Sequence, residues 1–307
     1  MQKNIWADLL LLVVTFIWGA TFVLVQNAIR HFPPFSFLAV RFALAFLVLL
    51  PPALGKRPAP SAERRGYALY LAGASIGVFL FAGYAFQTFG LLYTTPAKSG
   101  FITGLSIVLV PVTSAVWLKT AIPKSACAGV LIATLGLYAL TLGDAFVPNI
   151  GDGLTLLGAL AFALQIVATG RYAGVFPAAP LAAVQIGTVA LLSLIAALAA
   201  ERTALFDPAP YAERDVWLAL FVTAVLATAF AYWVQTNIQR RTSPVHVALI
   251  FAMEPVFAAL TAWAANGEVP TSRMLAGSTL ILGGMLLAEL PGSLAQMHAL
   301  RRRRSDE

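Results

Sequence analysis

Charge is what this chain has least of. Its 307 residues are 11% charged and 60% hydrophobic, with a mean hydropathy of +0.83, where a soluble domain of this size carries about 25% charged residues to cover its surface. That deficit excludes a soluble globular domain and implies an integral membrane protein, with lipid in place of water around most of the surface. Cysteine is nearly absent. The single Cys127 excludes an internal disulfide and any site built from several thiolates. Histidine is as sparse: His31, His246 and His298 are scattered, with no metal-ligand spacing, so no metal and no cofactor is expected. The G-x-x-x-x-G-K-[ST] phosphate loop is missing, which argues against ATP-driven transport by this chain alone. No Ser/His/Asp constellation converges on one level, which argues against an enzyme. The net charge of +7 does not call for nucleic acid, since insertion into a membrane places basic residues in the short loops of one face.

What the chain has is long apolar runs. A helix rises about 1.5 Å per residue, so about 20 residues cross a 30 Å hydrocarbon core. Ten such runs are legible: Ala7–Ile29, Phe35–Leu54, Gly66–Leu91, Ala97–Leu118, Ser125–Leu142, Gly153–Tyr172, Pro180–Ala199, Val216–Ile238, Val245–Ala264 and Met274–Leu290. The first is read as a span and not as a signal peptide, because no small-residue cleavage pattern follows a short core. The links are short and hold the punctuation, as in Pro33-Pro34 and Gly151-Asp152-Gly153.

The runs repeat. Tyr84-Ala85-Phe86-Gln87-Thr88 returns as Tyr232-Trp233-Val234-Gln235-Thr236, Thr95-Pro96 as Ser243-Pro244, and Gly129 and Gly136 as Gly277 and Gly284, each pair 148 residues apart. A unit of five spans is odd, so its second copy enters the bilayer upside down. The expected fold is therefore an all-α integral membrane protein of ten transmembrane helices in two inverted five-helix repeats, residues 1–147 and 148–292, followed by a basic cytoplasmic tail, 293–307. The copies are not identical. Pro96 and Pro111 are 15 residues apart but Pro244 and Pro255 only 11, about one helical turn less, so kinks in the fourth and ninth spans are expected at different depths. The spacings Gly73-xxx-Gly77 and Gly100-xxx-Gly104 read as close helix packing, with a dimer seam as the lesser alternative. The oligomeric state stays open.

With the N-terminus inside, the cytoplasmic loops and tail receive 14 of the 20 Lys and Arg residues, among them Lys56, Arg57, Arg64, Arg65, Arg240, Arg241 and Arg301–Arg304. This orients both termini to the cytoplasm. The Arg301–Arg304 run reads as a topology anchor that can also meet anionic lipid.

The chain resembles the EamA family of the drug/metabolite transporter superfamily, over roughly residues 7 to 290. The first copy carries Trp18-Gly19-Ala20-Thr21-Phe22, Arg41-Phe42 and Thr95-Pro96-Ala97-Lys98-Ser99-Gly100-Phe101-Ile102. The second carries Ser243-Pro244, Ala248-Leu249, Glu254-Pro255-Val256-Phe257 and Gly283-Gly284. Within that family the chain looks most like the YddG-type amino-acid exporters. The resemblance implies two inverted five-helix repeats and export of small metabolites, often amino acids, without ATP hydrolysis.

The candidate pathway residues are polar or aromatic groups inside the spans. Tyr84 and Gln87 share one helix face, as do Tyr232 and Gln235. A buried amide must be hydrogen-bonded or face a wet cavity, so these pairs either line outer and inner vestibules or fix helix packing. Gln165 is a further buried amide. Glu254, before Pro255, is an intramembrane carboxylate, a type that is costly and usually functional. It suits proton coupling or pairing with a substrate ammonium, or else a structural partnership with Arg41 or Lys98. Arg41 either attracts a carboxylate or, the favoured role, snorkels and ties down a helix end. Lys98 and His246 read as interfacial. Trp18, Phe86, Trp233 and Phe251 offer an apolar lining, or simple core and lipid contact.

These residues fit a secondary transporter of the inner membrane that exports amino acids or similar small amphiphiles by alternating access. Its partners would be a small-molecule substrate and the lipid bilayer. A nucleotide-sugar or phosphorylated-metabolite carrier of the same superfamily would want more cavity cations than Arg41 and Lys98. A non-transporting membrane scaffold is the third alternative.

Overall fold

The computed structural model describes residues 5–55, 62–119, 124–141, 149–202, 204–266, 272–273, 275–284 and 286–287. Among them every regular element is a helix. The chain opens with α1 (Ile5–Ala28), α2 (Pro34–Leu54) and α3 (Ala62–Gly90). Pro33 is extended and Pro34 occupies the first turn of α2, where a missing N–H costs nothing. Next come α4 (Pro96–Gly104), α5 (Ser106–Leu118), α6 (Lys124–Thr141), α7 (Ile150–Ala173) and α8 (Ala178–Ala200). The short α9 (Ala209–Ala212) leads into α10 (Arg214–Ala224), a π-turn (Val225–Phe230) and α11 (Ala231–Gln239). The chain continues through α12 (Pro244–Phe251) and α13 (Glu254–Asn266) to α14 (Leu275–Gly284).

Seven helical runs are long and apolar enough to cross a membrane: Ile5–Ala28, Pro34–Leu54, Tyr67–Gly90, Lys98–Leu118, Ile150–Ala173, Ala178–Ala200 and Arg214–Gln239. Lys124–Gly136, Pro244–Ala258 and Leu275–Gly284 are apolar but shorter. The basic run Arg301–Arg304 lies outside the described residues.

The repeated motifs take matching structural roles. Thr95 and Ser243 each cap a helix through the side-chain oxygen, accepting from the amide N–H of Lys98 and of His246 at 3.2 Å, with proline in the first turn. The breaks in the fourth and ninth apolar runs do not fall at different depths, as the proline spacing implied. They fall at Leu105 and at Ala252–Met253, and Leu105 and Met253 are 148 residues apart. Pro255 explains the second break, because its ring opposes the carbonyl four residues back, on Phe251. Pro111 does not set the first. It rides inside α5, and Leu105 instead tightens locally with its N–H on the Ile102 carbonyl.

Packing repeats as well. α1 lies along α13 as α7 lies along α5, the same pair displaced by one copy. α6 crosses α14 through glycine. A Cβ on Gly136 would stand 2.6 Å from the Gly277 carbonyl, and one on Gly284 would stand 2.5 Å from the Gly129 carbonyl, so only glycine lets these backbones meet. Gly73 and Gly77 face α8 just as closely, at Val184 and Thr188. That face is covered within the chain, which leaves no seam there for a second copy.

Polarity runs inward. Leu47, Val116, Leu191, Ile195 and Phe221 are exposed, while Thr15, Gln165, Gln185, Gln235, Thr236 and Gln239 are buried. In water such an apolar surface would aggregate; against acyl chains it is the expected exterior. Inside, Thr15, Thr155 and Thr223 return their hydroxyls to the carbonyl four residues back, so they leave no polar hydrogen unpaired.

Candidate functional site

A cavity opens among the described helices. It runs from mid-depth, at Glu254 and Gln165, to Val25 and Leu91 at the far ends of α1 and α3. Its walls are aromatic and apolar, from Trp18, Phe22, Phe162 and Phe251, with polar groups from Thr21, Gln87, Thr103 and Ser106.

Three hydroxyl and guanidinium groups organise its floor. Tyr232 Oη lies 2.9 Å from Tyr84 Oη, so the two copies of the repeated tyrosine meet each other. Arg41 donates through Nη2 to Tyr84 Oη at 3.3 Å and through Nε to Thr228 Oγ1 at 3.0 Å. Its guanidinium also stands over the Tyr84 ring at 4.5 Å and the Phe42 ring at 5.2 Å, a favourable placement for a desolvated cation. Thr228 belongs to the π-turn. The same turn offers the Ala227 carbonyl, which accepts from Trp18 Nε1 at 2.8 Å. A π-turn frees backbone groups that an α-helix keeps to itself; here the freed Ala227 carbonyl fixes Trp18, and the Thr228 hydroxyl on the same turn fixes Arg41.

At the other end the same helices are sealed. Leu11, Val14, Val234, Ile238, Val247 and Ile250 form a continuous apolar cluster. Beside it runs an amide ladder. Gln235 Nε2 donates to Gln165 Oε1 at 3.3 Å and to Gln239 Oε1 at 3.0 Å, and Gln239 Nε2 donates to the Ile166 carbonyl at 2.9 Å. Asp8 and His246 close this end at 2.8 Å.

A model of the EamA-like transporter family matches the chain twice, over residues 5–142 and 149–290. The chain belongs to the EamA-like transporter family. Its relatives include an "Uncharacterized transporter" of Archaeoglobus fulgidus, 35% identical over 288 residues, or 94% of this chain and 87% of that protein. The "Uncharacterized transporter YyaM" of Bacillus subtilis is 26% identical over 300 residues, 94% of each chain. A solved structure described as "Crystal structure of protein" superposes with a TM-score of 0.73 at 22% identity, over 94% of this chain and 98% of that one, a likeness of fold.

As an EamA-like transporter the chain is a multi-pass membrane protein, and the activity its family carries is transport rather than catalysis. Trp18, Tyr84, Gln87, Gln165, Tyr232, Phe251 and Glu254 all stand around the cavity. Gln235 does not. It is fully buried one layer behind, in the amide ladder, and no inner vestibule faces it among the described residues. Phe86 is not in the wall, and Trp233 turns outward, 41% exposed. Arg41 does not snorkel: it sits 3% exposed in the cavity wall, where its bonds tie α2 to the π-turn and to Tyr84. Lys98 is not in the wall. Thr103, Ser106 and Phe162 carry no sequence signal that separates them from ordinary packing residues. Only the α3 and α7 crossing brings Phe162 against Tyr84, with ring centroids 5.1 Å apart.

Proposed function

We propose that this chain is a secondary transporter that exports amino acids or similar small amphiphilic metabolites by alternating access across the inner membrane. It would do so as ten helices in two inverted five-helix repeats, 1–147 and 148–292, with both termini in the cytoplasm and 293–307 as a basic tail. The observation that carries the reading is a cavity that ends at mid-depth on an arginine and a glutamate, walled by aromatic rings and sealed beyond by an apolar plug. With the N-terminus inside, the cavity faces outward and the plug closes the cytoplasmic end. The paired contacts of Gly136 with Gly277 and of Gly284 with Gly129, and the meeting of Tyr84 with Tyr232, support a two-fold relation between the copies. Helices broken at Leu105 and Met253 beside the cavity support a midplane site, since transporter sites are commonly built on discontinuous helices. The pathway residues of this reading are Trp18, Tyr84, Gln87, Gln165, Tyr232, Phe251 and Glu254, with Gln235 in the closed gate. A phosphorylated cargo is disfavoured, because Arg41 is the one cation among the described lining residues.

The test is uptake of labelled amino acids into proteoliposomes, with and without an imposed pH gradient. Uptake above empty liposomes supports the reading, and accumulation driven by the gradient identifies proton coupling. No uptake of any amino acid overturns the substrate class.

A further inference from the structure

A guanidinium and a carboxyl face the same cavity without pairing with each other. Arg41 is 3% exposed and uses two of its five N–H groups, on Thr228 and Tyr84. Glu254 is 8% exposed and has no hydrogen bond or ion pair among the described residues. It opens α13 just after the break before Pro255, and the positive end of that helix favours an acidic group there. A buried cation and a buried carboxyl are each costly until something pairs with them. These two line one cavity yet make no ion pair together, so a molecule that carries both complementary charges would satisfy both at once.

Hydrogen-bond counting points the same way. The Tyr84 and Tyr232 hydroxyls share one bond, and Arg41 donates to Tyr84. One of the two phenolic hydrogens is spent between the rings. The other is left to be given to an acceptor in the cavity, on the side where the guanidinium keeps three unused N–H groups. The Arg41 side of the floor is therefore rich in donors and the Glu254 side offers acceptors. Trp18, Phe22, Phe162 and Phe251 supply apolar walls around both.

We infer that the cavity binds a zwitterion, an α-amino acid with an apolar side chain, its carboxylate on Arg41 and the Tyr84–Tyr232 hydroxyls and its ammonium on Glu254. The inference rests on the amino-acid reading above and adds which residue takes which end. A singly charged amphiphile would leave one of the two groups unpaired in a low-dielectric site, so the site discriminates against esters, amines and simple fatty acids.

The test is displacement of labelled L-leucine from the detergent-solubilised full chain, with L-phenylalanine and L-methionine as alternative probes. The competitors are leucine methyl ester, which lacks the carboxylate, isoamylamine, which has lost it, and isocaproate, which lacks the ammonium. Each should bind about 10- to 100-fold more weakly than leucine, the effect of one lost charged hydrogen-bond pair. In Glu254→Gln, leucine should weaken to the level of isocaproate while isocaproate itself is unchanged. In Arg41→Gln, leucine should weaken to the level of isoamylamine. Competition by all three analogues as strong as that of leucine itself overturns the inference and leaves the amino-acid reading standing. No binding of any of the three amino acids overturns both. Because the wild-type competition needs no substitution, a variant that fails to fold does not remove the test. A variant that folds but weakens every ligand alike acts on structure, and overturns that residue's assignment.

Discussion

Gln87 and Gln235 occupy the same place in the two copies of the repeat, yet their surroundings differ. Gln87 lines the cavity and donates to Thr103 Oγ1 at 3.0 Å. Gln235 is fully buried between Gln165 and Gln239, with its own Oε1 unpaired. Thr88 and Thr236 divide in the same way: one faces the cavity, the other accepts from Gln185 Nε2 at 3.4 Å. Elsewhere the copies match, at the Thr95 and Ser243 caps and at the glycine crossing of α6 with α14. So the difference does not come from the local sequence. It lies in what packs against each: Gln87 stands in the cavity wall, whereas Gln235 meets the Gln165 and Gln239 amides beside the apolar cluster of Leu11, Val14 and Val234. In the alternating-access reading, the opposite state exchanges these surroundings.

Thiol chemistry gives the sharpest break of that comparison. With the exposed Cys127 replaced by serine, Gln87→Cys, in the half-buried cavity wall, should react with a water-soluble methanethiosulfonate reagent and Gln235→Cys, fully buried, should be protected. Equal labelling of the two would remove the asymmetry between the copies.

Where the copies match, substitutions should cost the same. A leucine at Gly136 or at Gly284 drives Cβ into a facing carbonyl, and overpacking of this kind costs about 1–3 kcal/mol, occasionally more. Both variants should lose thermal stability in detergent to a similar extent. Gly153→Leu, where a Cβ meets nothing within 4 Å, should lose little. A large difference between Gly136→Leu and Gly284→Leu would mean that the crossing is not reciprocal.

Where the copies differ, so should the cost. Gln235→Ala removes the donor to two buried amide oxygens, a loss of about 1–3 kcal/mol. Gln87→Ala strands only the Thr103 hydroxyl, which faces the cavity and can turn to water, so its cost should stay below about 1 kcal/mol. Thermal unfolding of the two purified variants measures both, and equal losses would show that Gln87 is as buried as its counterpart.

Much of the site is legible in the amino-acid sequence. Helical spacing places Tyr84 with Gln87, and a carboxylate before an intramembrane proline singles out Glu254, because both signals are local. Four features are not legible there. The π-turn arises in Val225–Phe230, which contains neither glycine nor proline, so no residue type marks it. Arg41 near a span end looks like a snorkelling residue until the π-turn hands it Thr228. Gln235 reads as a vestibule residue because periodicity reports which residues share a face, not whether the facing helices stand apart or together. The break at Leu105 escapes for a related reason: a proline reads as a hinge, but Pro111 sits within an unbroken α5.

The smallest effect belongs to the Asp8–His246 tie. Its counterpart positions in the other copy are Leu156 and Lys98, so no acid stands in the equivalent place at the cavity end. The tie joins the first turn of α1 to that of α12 at the plugged end. Its side chains are 33% and 18% exposed, and an ion pair with that access to solvent contributes up to about 1 kcal/mol. Asp8→Asn should then leave the fold intact and shift the balance toward opening of the sealed end by about fivefold at most. Labelling of Thr236→Cys reads that shift directly: in the Asp8→Asn background its rate should rise, but by no more than that factor. An unchanged rate would show that the apolar cluster and the amide ladder close this end without the tie, whereas a far larger rise would make the tie the main latch and the ladder secondary.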